Sequence, residues 1–193
     1  IDSPIELLSF HHEQHAAHAA DAYFRVTHKP GVVMCHIGPG FTNAITGVAN
    51  AAMDSSAMVV ITGDIPTQHF GRDAHQEFKM HSDASQYEIY KPFVKRAWRV
   101  HSVEALPRIF ARAFSIAVSG RPGPVLVDVP VDIFSRKADV EIPNIAAFMA
   151  IGKRMRGDQR EIMRAVELLV QAKNPLIYVG GGVILSEASD LVK

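Results

Sequence analysis

Three short runs of this chain, Gly31-Val32-Val33-Met34-Cys35-His36-Ile37, Met58-Val59-Val60-Ile61-Thr62-Gly63 and Val125-Leu126-Val127-Asp128-Val129-Pro130, are almost wholly apolar. A strand with one wet face alternates polar and apolar residues, so such runs imply strands covered on both faces. Strands of that kind are parallel, and parallel neighbours need crossover connections, usually helices. The intervening sequence supplies them. Residues 41–54 are rich in Ala and Gly, and 103–119 carry Leu106, Ile109, Phe110, Ala113, Phe114 and Ala117 at helical spacing. Alternating strands and helices joined by short turns predict an α/β fold with a doubly wound parallel sheet.

Upstream, Ile5-Glu6-Leu7-Leu8-Ser9-Phe10 reads as a further strand, followed by a helix from about His12 to His28 that the Lys29-Pro30-Gly31 stop signal closes. Residues 94–100 alternate and predict a strand with one wet face, and 87–92 predict a helical turn. Between them and residue 64 lies a long polar stretch holding His69, His75 and His81, and loops of that length inside a compact domain are commonly functional. Past Ser135 the sequence turns charged and weakly periodic. We therefore expect a domain over 1–134, a linker over 135–157, and over 158–193 the beginning of a second α/β domain: an amphipathic helix, a strand at 175–179 and a final helix.

Bulk properties remove several function classes. Twenty basic and twenty acidic residues cancel, leaving no electrostatic footprint for nucleic acid. No apolar run approaches the ~20 residues that a membrane helix needs. Cys35 is the only cysteine, so no intrachain disulfide forms, and a reducing cytoplasm is the expected compartment. The chain opens on Ile1 without Met, and we expect further residues upstream.

Glu13 stands where the first predicted strand gives way to a helix, the edge of an α/β sheet where ligands bind. We expect it to be buried, with its carboxyl raised by loss of water. His11, His15 and His18 share a helical face, but His12-Glu13-Gln14-His15 lacks the second histidine of a zinc signature, Ala16 standing in its place. We read these histidines as solvated or packed and expect no metal on this chain's side chains. Gly38-Pro39-Gly40-Phe41-Thr42-Asn43 follows a strand and opens a helix, yet Asn43 replaces the third glycine of a dinucleotide fingerprint. No nucleophile elbow is present.

Taken in order, His12-Glu13-Gln14, Ala19-Ala20-Asp21-Ala22-Tyr23, Lys29-Pro30-Gly31-Val32 and Gly38-Pro39-Gly40 with Asn43 resemble the pyrimidine-binding domain of thiamine-diphosphate enzymes. The acetolactate synthase-like branch is the nearest. Ile61-Thr62-Gly63-Asp64-Ile65-Pro66, Gly71-Arg72-Asp73-Ala74-His75-Gln76-Glu77 and Gly123-Pro124-Val125 with Asp128-Val129-Pro130 continue the resemblance, and residues 172–183 resemble the start of that family's middle domain.

The resemblance implies an enzyme that makes or breaks a carbon–carbon bond next to the carbonyl of a 2-oxo acid. Glu13 would bond the cofactor's aminopyrimidine N1′ and so promote proton loss from the thiazolium C2. Pro39 and Asn43 would line the pyrimidine pocket, and His75 and Gln76 would face the reacting carbon and the substrate. His36 departs from the synthase pattern, which often has a small hydroxyl residue there. Decarboxylases resembling benzoylformate decarboxylase carry a histidine that moves protons, so His36 joins the catalytic candidates and a decarboxylase is the alternative. A non-catalytic homologue is a second alternative. The resemblance further implies thiamine diphosphate and Mg²⁺, the ion held by a domain outside these residues, a small carbonyl substrate, and a homodimer or homotetramer with neither nucleic acid nor membrane as partner. Some relatives bind FAD in the middle domain. A fragment of this extent is expected to be inactive alone.

Overall fold

The structure is a computed structural model that describes residues 4–77, 85–144, 147 and 156–192. His81 and the linker positions 145–146 and 148–155 lie outside them. The chain forms two compact units, residues 1–152 and 153–193.

In the first unit, helix α1 (Glu13–Thr27) starts where the His12 side chain accepts the Gln14 N–H at 3.2 Å. It ends on His28, whose left-handed backbone (φ 55°) caps the last turn before Pro30. Strand β1 (Gly31–Cys35) follows. The helix predicted over 41–54 is two helices, α2 (Pro39–Asn43) and α3 (Ile45–Met53). The break is slight, since Ala44 keeps φ −73° and ψ −18°. Pro39 starts α2 early because its missing N–H is no loss in a first turn.

Strand β2 (Met58–Asp64) leads into a loop with a 3₁₀ turn at Thr67–His69, and a longer 3₁₀ stretch spans Gln86–Phe93. Strand β3 is short (Ala97–Arg99), and helix α4 (Leu106–Val118) is entered through the 3₁₀ turn Val103–Ala105. Strand β4 (Pro124–Pro130) and the single turn α5 (Val131–Phe134) complete the unit.

The four strands are parallel in the order β1-β2-β4-β3. Their register lays Cys35, Thr62, Asp128 and Arg99 in one row near the carboxyl edge. One face is packed by α1 and α3, with Ala17, Ala20, Phe41, Val48, Ala51, Met58, Val60, Tyr90 and Leu126 in a single cluster. Tyr90 meets the Phe41 ring edge-on at 4.4 Å and donates its hydroxyl to the Phe41 carbonyl. Alternate residues Val59, Val125, Val127 and Val129 are also fully buried and point the other way, and α4 packs on β4 and β2. Strands β2 and β4 are thus covered on both faces, but β1, at the edge of the sheet, is not as expected: Val32 and Met34 are exposed because no described helix covers that side of it.

A second device fixes α1. Asp21 is buried on it and receives two bonds from Arg25, both 2.9 Å, and one from Asn50 of α3 at 2.7 Å. Burial pulls the Asp21 carboxyl up, but Arg25 and the hydrogen bonds outweigh it and hold the group below the usual carboxylate range.

Residues 5–10 are not a strand. They run irregularly, with Ile5, Leu7 and Leu8 exposed. An apolar run becomes a strand only beside a neighbour's backbone ladder, and the ladders described join β1, β2, β4 and β3 to one another.

In the second unit, Asp158 caps helix α6 (Gln159–Gln171) by accepting the N–H groups of Arg160 and Glu161 at 2.8 and 3.3 Å. Helices α7 (Gly181–Leu185) and α8 (Ser189–Val192) follow. The strand predicted at 175–179 is absent. Those residues are irregular and Leu176 is 89% exposed, for the same reason: no ladder is described in this unit.

Candidate active site

Because the strands are parallel, every turn that follows one falls on the same edge of the sheet. The turn after β1 carries His36 to Gly40, and the first turn of α1 reaches the same edge. Asn43, at the end of α2, donates its side-chain amide to Glu13 Oε2 at 3.1 Å across 30 positions of sequence. A Cβ placed on Gly40 would stand 3.1 Å from Glu13 Oε1 and 3.2 Å from the His36 Cβ, so carboxylate, turn and imidazole stem are in close contact. Among the sequence-predicted residues, Glu13, His36, Pro39 and Asn43 are therefore brought together.

Glu13 corrects the sequence-based expectation. It is half-buried rather than buried, and its carboxyl is lowered, not raised. The backbone N–H of its own first helical turn is the largest cause and the Asn43 amide the second; burial opposes them more weakly. A helix N-terminus turns unbonded N–H groups towards an anion, which fixes Glu13 as a carboxylate.

His75 and Gln76 are exposed on the loop after β2, and this loop leans on the same turn. Gly38 has φ 65°, and a Cβ there would lie 2.8 Å from the Gln76 carbonyl oxygen. Only glycine fits that approach. Gln76 itself is left-handed, φ 64°.

Behind the turn lies a polar cluster that the sequence reading did not single out. Gln86 is fully buried; its side-chain oxygen accepts the Gly38 N–H at 3.4 Å. Its amide donates to the Gly63 carbonyl at 2.9 Å and to Asp64 and Asp128 at 3.3 Å each. Thr62 also donates to Asp128, at 2.7 Å. The signal was an aspartate inside an otherwise apolar run, visible at Asp128 and at the end of β2 at Asp64.

Burial first and the Asp64 charge second push the Asp128 carboxyl up to about 8 from an ordinary 3.8. Its native proton affinity exceeds that of the unfolded chain, so the native state holds the extra proton between these values. Stability contributed by this group is present below pH 4 and declines as pH rises towards 8. Asp128→Asn, which keeps the accepting oxygen and needs no proton, is expected to flatten that decline. Urea midpoints of both proteins at pH 5 and pH 8 check it; an equal fall in both would refute it.

Cys35 is partly buried, and its thiol is pushed up to about 12 by burial and then by the Glu13 charge, which removes it as a nucleophile. Among the described residues no group of three His, Cys, Asp or Glu side chains is placed to hold a metal ion, and no helix is long and apolar enough to cross a membrane.

Residues 1–86 match the family described as thiamine pyrophosphate enzyme, N-terminal TPP binding domain. The chain is 43% identical over 182 residues, 93% of its length, to a probable acetolactate synthase large subunit of Methanococcus aeolicus. It is 43% identical over 188 residues to the acetolactate synthase large subunit of Buchnera aphidicola, and 41% over 184 to the isozyme 3 large subunit of Escherichia coli, covering 96% and 94% of this chain. Residues 1–86 carry the N-terminal domain of the thiamine pyrophosphate enzymes. The chain spans about a third of the curated relatives it matches, 29%, 32% and 31% of the three named.

The site fits the family's cofactor on its own geometry. A carboxylate fixed at a helix N-terminus offers an acceptor for a ring nitrogen, and glycine at 40 lets the neighbouring turn lie directly against that carboxylate. Glu13, Pro39 and Asn43 are the residues that would hold it.

Proposed function

We propose that this chain is the pyrimidine-binding part of an acetolactate synthase-like enzyme that uses thiamine diphosphate to make or break a carbon–carbon bond beside the carbonyl of a 2-oxo acid. The observation that carries this reading is the Glu13–Asn43 pair against the Gly38–Gly40 turn, with His36 alongside. When bound, thiamine diphosphate supplies an electron sink next to the carbonyl carbon.

The chain's own groups divide the remaining work. Glu13 would hold the aminopyrimidine through its carboxylate and would favour the proton arrangement that the cofactor's chemistry needs. Asn43 keeps that carboxylate aimed, and glycine at 38 and 40 lets the turn pack closely against Gln76, Glu13 and His36. His36 holds or moves a proton at its imidazole, and His75 and Gln76 orient the substrate. The names of the relatives, all acetolactate synthases or their large subunits, support the synthase reading. His36 beside Gly40 favours a decarboxylase as the second reading.

Mg²⁺, which a domain outside these residues would hold, a homodimer or homotetramer completing the site, and a cytoplasmic location belong to this proposal; FAD, which some relatives bind, would sit in the middle domain. The division into a domain at 1–134, a linker at 135–157 and a second domain from 158 belongs to it too. The test is product analysis of the full-length protein given pyruvate, Mg²⁺ and thiamine diphosphate. Acetolactate formed only with the cofactor is the expected result. Acetaldehyde and CO₂ alone would establish the decarboxylase, and no cofactor-dependent consumption of this or other 2-oxo acids would overturn the proposal.

A further inference from the structure

Arg99 is the last residue of β3, at the carboxyl edge of the sheet, and its side chain is only 14% exposed. Its Nε donates to Asp64 Oδ2 at 2.6 Å, and Asp64 is the last residue of β2. Its guanidinium lies over the Phe70 ring, 3.5 Å from the centroid. Its Nη2 stands 3.9 Å from Glu77 Oε1, and the Glu77 side chain is 2% exposed. One guanidinium thus meets the beginning, the middle and the end of the segment 64–77.

That segment has no strand pairing past Asp64. Apart from its own turns, a further tether is Thr67, whose N–H and hydroxyl both donate to Asp132 of α5 at 3.0 and 2.7 Å. An irregular loop held at few points must have its conformation imposed by side chains. Planar guanidinium geometry suits this role, since it can bond a carboxylate in its plane and stack on an aromatic face. Arg99 Nη2 and Glu77 Oε2 are both buried with no hydrogen-bond partner among the described residues. Outside this loop Arg99 also faces Asp128, its register partner on β4, whose charged form it favours.

We propose that Arg99, with Glu77, is a positioning residue that latches the 65–77 loop to the sheet and so sets where His75 and Gln76 stand against the Gly38 turn. The inference rests on the function proposed above for what those two residues do there. The latch itself rests on Asp64, Phe70 and Glu77 alone. The contacts of Arg99 go to Asp64, Phe70 and Glu77, whereas Glu13 is held by Asn43, so its influence is on substrate handling and not on activation of the cofactor by Glu13.

The test uses Arg99→Lys in the full-length protein, because lysine keeps the charge and the Asp64 contact but cannot stack and span two carboxylates. Amide hydrogen exchange without cofactor is expected to accelerate about ten-fold across 65–77 while β4 stays as protected as in wild type. With cofactor, C2 proton exchange is expected to be unchanged while KM for the 2-oxo acid rises about ten-fold, the scale of a modest misplacement. Glu77→Gln, which removes only the charge, is read identically and decides the matter if Arg99→Lys does not fold. Wild-type loop exchange and KM in the folded variant would overturn the latch. So would exchange rising equally in the loop and β4, which marks general loosening. A wild-type protein without cofactor-dependent turnover would instead defeat the proposed function, and the exchange arm would still judge the latch.

Discussion

Glu13→Gln is expected to slow exchange of the bound cofactor's C2 proton by ~10²-fold or more in the full-length protein, the scale of a positioned acid–base group. The amide has nearly the carboxylate's shape and can still accept the Asn43 bond, so the geometry at the helix start survives. What it loses is the fixed charge that the first-turn N–H and Asn43 stabilise. For a half-exposed group at a helix N-terminus the loss of stability should be only about 0.3–1 kcal/mol. Deuterium exchange at C2, followed by NMR of the bound cofactor, separates the two effects. A wild-type exchange rate in the variant would remove Glu13 from the mechanism.

His36→Ala is expected to lower kcat by ~10²–10⁴ with little change in melting temperature. The reason lies in how little the ring does for the fold. It is exposed, and the hydrogen bond recorded for it is a long one, 3.3 Å between Nδ1 and the Ile37 carbonyl oxygen. Losing one such bond should cost no more than about 1 kcal/mol. Histidine as a residue type exchanges protons near neutral pH, and this one borders the carboxylate and the glycine turn. A destabilised but fully active His36→Ala enzyme would sink the proton-transfer role and return the chain to a plain synthase reading.

The sheet was legible because its evidence is periodic and local. Apolar runs, the Pro30 stop signal and the Gly38–Gly40 turn each fix a short segment by itself, and together they imply the parallel arrangement. Residues 5–10 and 175–179 misled for the converse reason. Strand-like composition states a preference, and a strand exists only where another backbone completes it. At the site, motif order located Glu13, Pro39, Asn43 and Gln76. It could not give the charge state of Glu13, because that depends on the helix start and on an amide 30 residues away. Gln86 and Arg99 stayed hidden too. Each bonds partners 22 or more positions distant; in the one-dimensional record Gln86 is only another polar residue in a polar stretch, and Arg99 only another charge in an alternating strand.

The Asp21 network has a mechanical consequence. Eight residues of α1 separate Asp21 from Glu13, roughly 12 Å at 1.5 Å per residue. The helix is therefore a lever, pinned to α3 at Asp21 and Asn50 and steadied at its far end, where Glu13 stands, by the single Asn43 side-chain bond. Tilting such an arm by about 5° would carry Glu13 roughly 1 Å, a displacement on the order of that which can cost 10²-fold in rate. Substitutions at the Arg25–Asp21–Asn50 pivot would then act at a distance, changing turnover through aim without touching a single group in the cleft.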